Sequence, residues 1–205
     1  RLLLRYGIVT REIAALEGIP WDMLNRTFEE WEILGKVRRG YFVRGLSGVQ
    51  YAKGEALEEL RLPRDAGLPE FWGLVARDPA NVWGNIFPWP QLWAESGKRL
   101  VAPSVVVFQR GAPVLACEGK RLKFISISSL NEEELARALK EMVWLVGRLR
   151  SRERRIEVVE WNGKPILETV AGEILAELGF ERGHRTMLKW ANYPGFCVRG
   201  LMPQS

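Results

Sequence analysis

The sequence has few of the side chains that most metal sites use. Its 205 residues include only 2 cysteines, Cys117 and Cys197, and 1 histidine, His184. The cysteines lie far apart and form no CxxC or Cys/His group, so we expect no zinc site and a reducing, cytoplasmic setting. His184 has no matching Cys or Ser partner, so we assign it no catalytic role and predict no catalytic residue.

Long apolar runs and nucleotide-binding loops are also missing. No apolar run approaches the roughly 20 residues that cross a bilayer, and no signal peptide opens the chain. The phosphate-binding pattern GxxxxGK[ST] does not occur. We therefore expect no membrane contact, no bound cofactor or metal, and no ATP site of that type. Because the first residue is Arg1 and not Met, we expect a fragment of a longer protein.

Positive charge and tryptophan are what the chain has in excess. Its 30 Lys and Arg residues exceed its 25 Asp and Glu residues, which gives a formal net charge of +5. An excess of this size favours an anionic partner such as nucleic acid, although it also serves solubility alone. The 9 tryptophans offer either core surface or stacking platforms.

Residues 1–64 predict three helices followed by a hairpin. The helices are expected in "LLLRYGIVT", in "TREIAALEG" with Thr10 as N-cap and Gly18 as stop, and in "IPWDMLNRTFEEWEILGK" ending at Gly35. The segment "GKVRRGYFVRGLSGVQYA" predicts two strands around a glycine-bearing turn, and "GEALEELRL" predicts a further helix. This is the order of elements in a winged helix-turn-helix.

The remaining sequence predicts an α+β fold. Residues 65–128 contain three β-rich runs within "RLVAPSVVVFQRGAPVLACEGKRLKFI", which predict a small β-barrel-like domain or sheet. Residues 129–190 predict a closing layer: the amphipathic helix "EEELARALKEMVWLVGRLR", then a strand, a helix and a strand. Residues 191–205 are expected to form a loosely docked tail.

The basic hairpin is the main candidate site. In a winged helix the third helix enters the major groove, and the hairpin, or wing, lies along the adjacent phosphates. Two glutamates near Arg26 argue against a strongly phosphate-seeking helix, and winged helices also serve protein contacts. The predicted nucleic-acid contacts are Lys36, Arg38, Arg39, Tyr41 and Arg44 in the hairpin, Arg26 in the groove, and Trp83 for stacking on an unpaired base.

Three further features allow two interpretations each. The basic run "GRLRSRERR" over 147–155 suits either a helix C-terminus or a phosphate backbone. Most tryptophans among Trp72, Trp83, Trp89 and Trp93 should be buried, with Trp83 the one expected to be exposed. Asp78, which precedes a proline, is either a turn residue or the loop carboxylate of a glycosylase.

Three motifs in order resemble one family. The first 61 residues closely resemble the last winged-helix segment of Lhr-type proteins, the large helicase-related family within the superfamily 2 DEAD/DEAH-box helicases. "ARDPANVWGNIFP" with "SVVVFQRGAPVLACEGKRLKFI", and then "IEVVEWNGKPILETVAGEILAELGFERGHRTMLKW", resemble the segments that follow in that family. The resemblance extends to about Trp190.

The resemblance implies a function that the composition alone does not. The parent protein would be an ATP-dependent hydrolase, a DNA or RNA:DNA helicase moving 3′ to 5′, and this chain its nucleic-acid-binding C-terminal region, acting in DNA repair in the cytoplasm. Its partners would be single-stranded or tailed duplex DNA, an RNA:DNA hybrid, the other domains of the parent, or further copies of itself. One alternative is a glycosylase-like base-excision module with Asp78 as its acid, although the related glycosylases carry a Gln-x-Gln pair of which only Gln50 is found here. Another alternative is an oligomerisation or docking module without DNA contact.

Overall fold

The computed structural model describes residues 1–62, 69–79, 81–89 and 105–190. The predicted tail at 191–205, with Cys197, and the tryptophan Trp93 lie outside these ranges. The chain divides into two compact units: Arg1–Leu68 with Pro79–Pro88, and Pro69–Asp78 with Trp89–Ser205. No helix among the described residues is both long enough and apolar enough to cross a membrane.

The first unit is a winged helix, as predicted. Its sheet is antiparallel, in the order β1-β3-β2. The elements in chain order are α1 (Leu2–Tyr6), β1 (Ile8–Val9), α2 (Arg11–Leu16), α3 (Trp21–Ile33), β2 (Arg38–Gly40), β3 (Gln50–Ala52) and α4 (Gly54–Arg61).

One predicted helix is wrong in its second half. The helix expected over "LLLRYGIVT" ends at Tyr6, because Gly7 adopts φ +70° and turns the chain. Ile8 and Val9 then form a short strand that pairs with Ala52 and Tyr51. A two-residue strand has no periodicity of its own, so its existence depends on a partner more than 40 residues away.

Helix caps and a small aromatic core fix the position of the wing. The Thr10 hydroxyl accepts the Ile13 backbone N–H (3.4 Å), as expected of the predicted N-cap. The Phe28 ring of α3 packs on Tyr51 of β3, with ring centroids 5.0 Å apart. The buried core of this unit consists of Leu3, Val9, Ile13, Phe28, Val37 and Tyr51.

The second unit contains a mixed sheet, which confirms the α+β prediction. Its strands run in the order β10-β11-β8-β7-β6-β5-β4, with β9 against β8. The elements are β4 (Phe71–Val75), β5 (Val105–Gln109), β6 (Ala112–Glu118), β7 (Leu122–Ser126), α5 (Glu132–Leu149), β8 (Arg155–Trp161), β9 (Lys164–Pro165), a 3-10 turn (Ile166–Glu168), α6 (Val170–Glu177), β10 (Glu181–Arg182) and β11 (Met187–Trp190). Strands from the predicted segments 65–128 and 129–190 therefore share one sheet.

Helix α5 connects two parallel strands and covers the sheet. β7 and β8 are parallel neighbours, and α5 is the crossover that such a pair needs. Its first turn has a capping box, in which Asn131 accepts the Glu134 N–H and Glu134 accepts the Asn131 N–H. One face of α5 is buried against this sheet, with Leu139 and Met142 fully enclosed.

Candidate nucleic-acid interface

The wing presents its basic residues on two opposite faces. β2 and β3 pair with Arg38 opposite Ala52 and Arg39 opposite Tyr51. Side chains alternate along a strand, so Arg39 shares the face of Tyr51, which packs on α3, and Arg38 projects from the other face. Adjacent arginines in the sequence are therefore not adjacent contacts for one phosphate strand.

Two of the predicted basic contacts already have partners on or beside α3. The Arg39 guanidinium forms an ion pair with Glu32 (Nε to Oε2, 3.2 Å). The Lys36 ammonium lies 5.9 Å from the centre of the Trp31 ring, within the range of a cation–π contact. Two of the cationic groups predicted to contact nucleic acid therefore already interact with side chains of α3.

Three other predicted contacts are exposed. Arg38 and Arg44 lie on the surface and form no ion pair within the described part of the chain. Tyr41, at the start of the loop that joins the two strands, is 81% exposed. The wing thus offers to solvent one aromatic ring and two guanidinium groups without an ion pair, beside the exposed but ion-paired Arg39.

A buried glutamine, Gln50, holds the loop that carries Tyr41 and Arg44. Its Oε1 accepts the backbone N–H groups of Phe42 (2.9 Å) and Val43 (2.8 Å), and its Nε2 donates to the Val43 carbonyl (2.9 Å). The Gln50 side chain is fully buried. From the sequence, Gln50 was predicted only to be a remnant of a glycosylase motif. A glutamine inside the apolar strand "VQYA" was the available signal for this structural role.

A second tie joins the far side of the loop to α2. The Glu12 carboxylate accepts both the backbone N–H (3.1 Å) and the hydroxyl (3.0 Å) of Ser47 at Oε1. Burial, the largest influence, raises the pKa of Glu12, but hydrogen bonds from Thr10, from its own backbone and from Ser47 together hold the pKa below its ordinary value. No local pattern in the sequence indicates this contact across 35 residues.

Helix α3 is acidic and partly apolar on its exposed surface. It carries four carboxylates, at Asp22, Glu29, Glu30 and Glu32, against the single guanidinium of Arg26. Arg26 is exposed and forms no ion pair with any described residue. The neighbouring Asn25 is engaged within the unit: the Tyr51 hydroxyl donates to Asn25 Oδ1 (3.0 Å), and Asn25 Nδ2 donates to Glu29 (2.9 Å).

Trp83, predicted to be exposed, is half-buried. Its ring lies 5.5 Å from the ring of Phe87, and its backbone N–H donates to Asn81 Oδ1 (3.1 Å). Trp72 and Trp89, expected to be buried, are half-buried as well. The exposed tryptophans lie elsewhere in the described chain, at Trp31, Trp144 and Trp190.

The basic run at 147–155 serves the second unit itself. Arg150 is 90% covered and donates to the backbone carbonyls of Gly119 and Lys120. Arg148 lies over the Trp144 ring at 5.0 Å. These contacts favour the structural interpretation of the run over the phosphate-binding one.

A cavity of about 360 Å³ also belongs to the second unit, and none of the predicted contacts line it. Burial raises the pKa of the Cys117 thiol in its wall to about 12, so this group stays protonated. No group of three or more His, Cys, Asp or Glu side chains suited to a metal occurs among the described residues. The lining residues are Val105, Cys117, Gly119, Lys120, Leu122, Val146, Leu149, Arg150 and Glu153.

Comparison with known proteins identifies the family. Residues 1–72 match the family model described as the winged-helix domain of a large helicase-related protein. A protein of Escherichia coli named Lhr helicase/uracil glycosylase is 32% identical over 193 residues, covering 87% of this chain and 12% of the relative. A protein of Mycolicibacterium smegmatis named Lhr helicase/probable uracil glycosylase is 35% identical over 96 residues, covering 43% of this chain and 6% of the relative.

The matches agree with the fold. The matched segment at 1–72 contains the whole series of elements from α1 to α4, including the wing. The chain spans only a small part of the length of either relative. The chain belongs to the Lhr family of large helicase-related proteins and corresponds to a C-terminal region of such a helicase.

Proposed function

We propose that this chain is the nucleic-acid-binding C-terminal region of an ATP-dependent Lhr-type DNA helicase that acts in DNA repair in the cytoplasm. Its substrate is single-stranded or tailed duplex DNA, or an RNA:DNA hybrid. Its protein partners are the remaining domains of the parent helicase, with self-association as a further option. The names of both relatives include a helicase, which supports this assignment.

The wing is the observation that carries the proposal. Its exposed Arg38, in β2, and Arg44, in the loop that Gln50 and Glu12 hold, form no ion pair with any described residue. A preorganised loop loses less conformational entropy when it binds, so its charges contribute more of their energy to affinity. Arg26, the predicted groove contact, is the one basic side chain of α3.

The test is binding of labelled single-stranded, duplex and tailed DNA across a series of salt concentrations. Each lost phosphate contact reduces the slope of log affinity against log salt by about 0.7 for a single strand and about 0.9 for a duplex. The double variant Arg38→Gln, Arg44→Gln should therefore lower affinity and reduce the slope by about 1.4–1.8. Weak binding without salt dependence would overturn the proposal.

A matched control separates the site from net charge. Arg182 and Arg185 are exposed in the second unit, so Arg182→Gln with Arg185→Gln removes the same charge from a different surface. We expect this control to leave the salt slope within experimental error. If both double variants lower the slope equally, the attraction comes from the overall charge and not from the wing.

Base excision is the second candidate function. Both relatives have uracil glycosylase in their printed names, and Asp78 is the loop carboxylate predicted for such a role. Asp78 lies in a turn after β4, where its backbone N–H donates to the Val75 carbonyl (2.9 Å), and its side chain is partly accessible. A glycosylase carboxylate activates water or stabilises an oxocarbenium-like transition state, which requires such access.

This candidate is tested by incubating the chain with uracil-containing single-stranded DNA and then cleaving abasic sites with alkali. Release of uracil without ATP or added metal, abolished by Asp78→Asn, would support the activity. Strand breaks that persist in Asp78→Asn would exclude Asp78 as the acid. DNA binding by the Asp78→Asn variant should be unchanged, because the wing lies elsewhere in the sequence.

A further inference from the structure

Helix α3 does not suit the major groove. In a winged helix this helix reads base edges between two phosphate backbones. Here it carries a formal charge of −3, from four carboxylates and one guanidinium. Its exposed surface also includes Met23 (60% exposed) and Ile33 (86% exposed), which offer no hydrogen bond to a base edge. The wing, and not the helix, is therefore the part of this unit that suits nucleic acid.

Within the wing, the exposed position of the Tyr41 ring is not explained by packing. Its ring is 81% exposed, whereas the next ring, Phe42, folds back on the hairpin. A Cβ added at Gly40 would lie 2.7 Å from that ring, so Phe42 occupies the space directly above Gly40. Phe42 thus packs on its own hairpin while Tyr41 is left in solvent.

The backbone around Tyr41 is fixed on both sides. Gly40, before it, pairs with Gln50 in the ladder, and the N–H groups of Phe42 and Val43, after it, donate to the Gln50 side chain. A tyrosine side chain has only two rotatable angles, so little conformational freedom remains for it to lose on binding. The ring is a prepared stacking surface.

The charges on either side of Tyr41 complete the site. Arg38 and Arg44 are each three residues from it, are exposed and are unpaired within the described ranges. An exposed aromatic ring with guanidinium groups near it in the chain is a combination by which proteins bind unpaired strands, because bases stack on the ring and phosphates pair with arginine. A closed duplex can satisfy the arginines but presents no base face to the ring.

We propose that the wing binds single-stranded nucleic acid by stacking one unpaired base on Tyr41, while Arg38 and Arg44 contact the adjoining phosphates. This inference rests on the proposed function and narrows it: the ligand of this site is an unpaired strand or the single-stranded tail of a duplex, and not a blunt duplex. The stacking does not depend on the identity of the base, because every base has a π face.

The experiment compares Tyr41→Ala and Tyr41→Phe with the unaltered 205-residue chain on three probes. The probes are an oligothymidylate, an abasic oligonucleotide of the same length, and a blunt duplex. Tyr41→Ala should weaken binding to oligothymidylate by about 5- to 140-fold, and Tyr41→Phe, which keeps the ring, by no more than about twofold. Neither variant should change binding to the abasic strand or the blunt duplex.

The outcomes separate the two claims. The double variant Arg38→Gln, Arg44→Gln could weaken salt-dependent binding to oligothymidylate while Tyr41→Ala leaves it unchanged. That result would overturn the stacking inference and leave the proposed function standing. No binding of any probe by the unaltered chain would overturn both. An equal loss on the abasic strand would also overturn stacking, because that probe has no base. Thermal unfolding of Tyr41→Ala checks the fold, and we expect no change since the ring is exposed.

Discussion

Replacing Gln50 with leucine should loosen the wing without damaging the rest of the unit. Leucine has nearly the same volume and suits a fully buried position, so the substitution isolates the loss of three hydrogen bonds. Each such bond contributes a net of about 0.5–1.5 kcal/mol. Phe42 and Val43 are only half-buried, so water replaces part of what is lost. We therefore expect local opening of the loop to become easier by about 1–3 kcal/mol.

Hydrogen exchange measures this opening directly. The backbone amides of Phe42 and Val43, which donate to Gln50, should exchange about 5- to 140-fold faster in Gln50→Leu. Gln109→Leu is the matched control, because Gln109 also bonds two acceptors, the carboxylates of Glu70 and Glu134, but in the second unit. Unchanged exchange at Phe42 and Val43 in Gln50→Leu would refute the role of Gln50 as the support of the wing.

Three further predictions follow from other contacts. The pKa of Glu12 is lowered in the folded state, so its contact with Ser47 is complete above the ordinary carboxyl pKa and is lost as pH falls through the lowered value. The protection factor of the Ser47 amide, which corrects for the slower intrinsic exchange in acid, should therefore fall on acidification, and Glu12→Gln should remove that dependence. Glu32→Gln should release Arg39 from its ion pair and tighten single-strand binding by up to about fivefold, with a steeper salt slope. Gly172→Ala should destabilise the second unit by about 2–3 kcal/mol in urea unfolding, because its Cβ would lie 2.3 Å from a backbone oxygen.

Each of these predictions has a result that would contradict it. A fall in the Ser47 protection factor on acidification that persists in Glu12→Gln would assign the titration to another group. Weaker binding by Glu32→Gln would mean that the ion pair positions the wing instead of competing with nucleic acid. Gly54→Ala is the control for Gly172→Ala, since a Cβ at Gly54 meets nothing within 4 Å; equal losses of stability in both would refute the steric argument.

The parts of the fold that depend on local pattern could be predicted. Helix α5 follows from its apolar spacing and its acidic first turn, and α2 from the Thr10 cap. The hairpin follows from alternating residues between glycines. The strand β1 could not be predicted, because only its pairing with Ala52 and Tyr51 makes Ile8 and Val9 a strand.

The composition of the site was predictable, but its geometry was not. Sequence order places Arg38 and Arg39 side by side, whereas strand alternation directs them to opposite faces and Glu32 pairs with one of them. Arg150, expected at a helix end, also donates to two carbonyls that lie 30 and 31 residues earlier in the chain. Contacts between distant segments decide which charges remain free for a ligand, and such contacts leave no local signal in one sequence.

Photo-crosslinking tests the central claim most directly. A single-stranded oligonucleotide with 5-iodouracil in place of thymine reacts on irradiation with aromatic side chains that stack on the base. We predict that peptide mapping by mass spectrometry finds the adduct on Tyr41, and that Tyr41→Ala or excess unlabelled single strand abolishes it. Crosslinks confined to residues 105–190, with none in the wing, would contradict the assignment of the wing as the nucleic-acid interface.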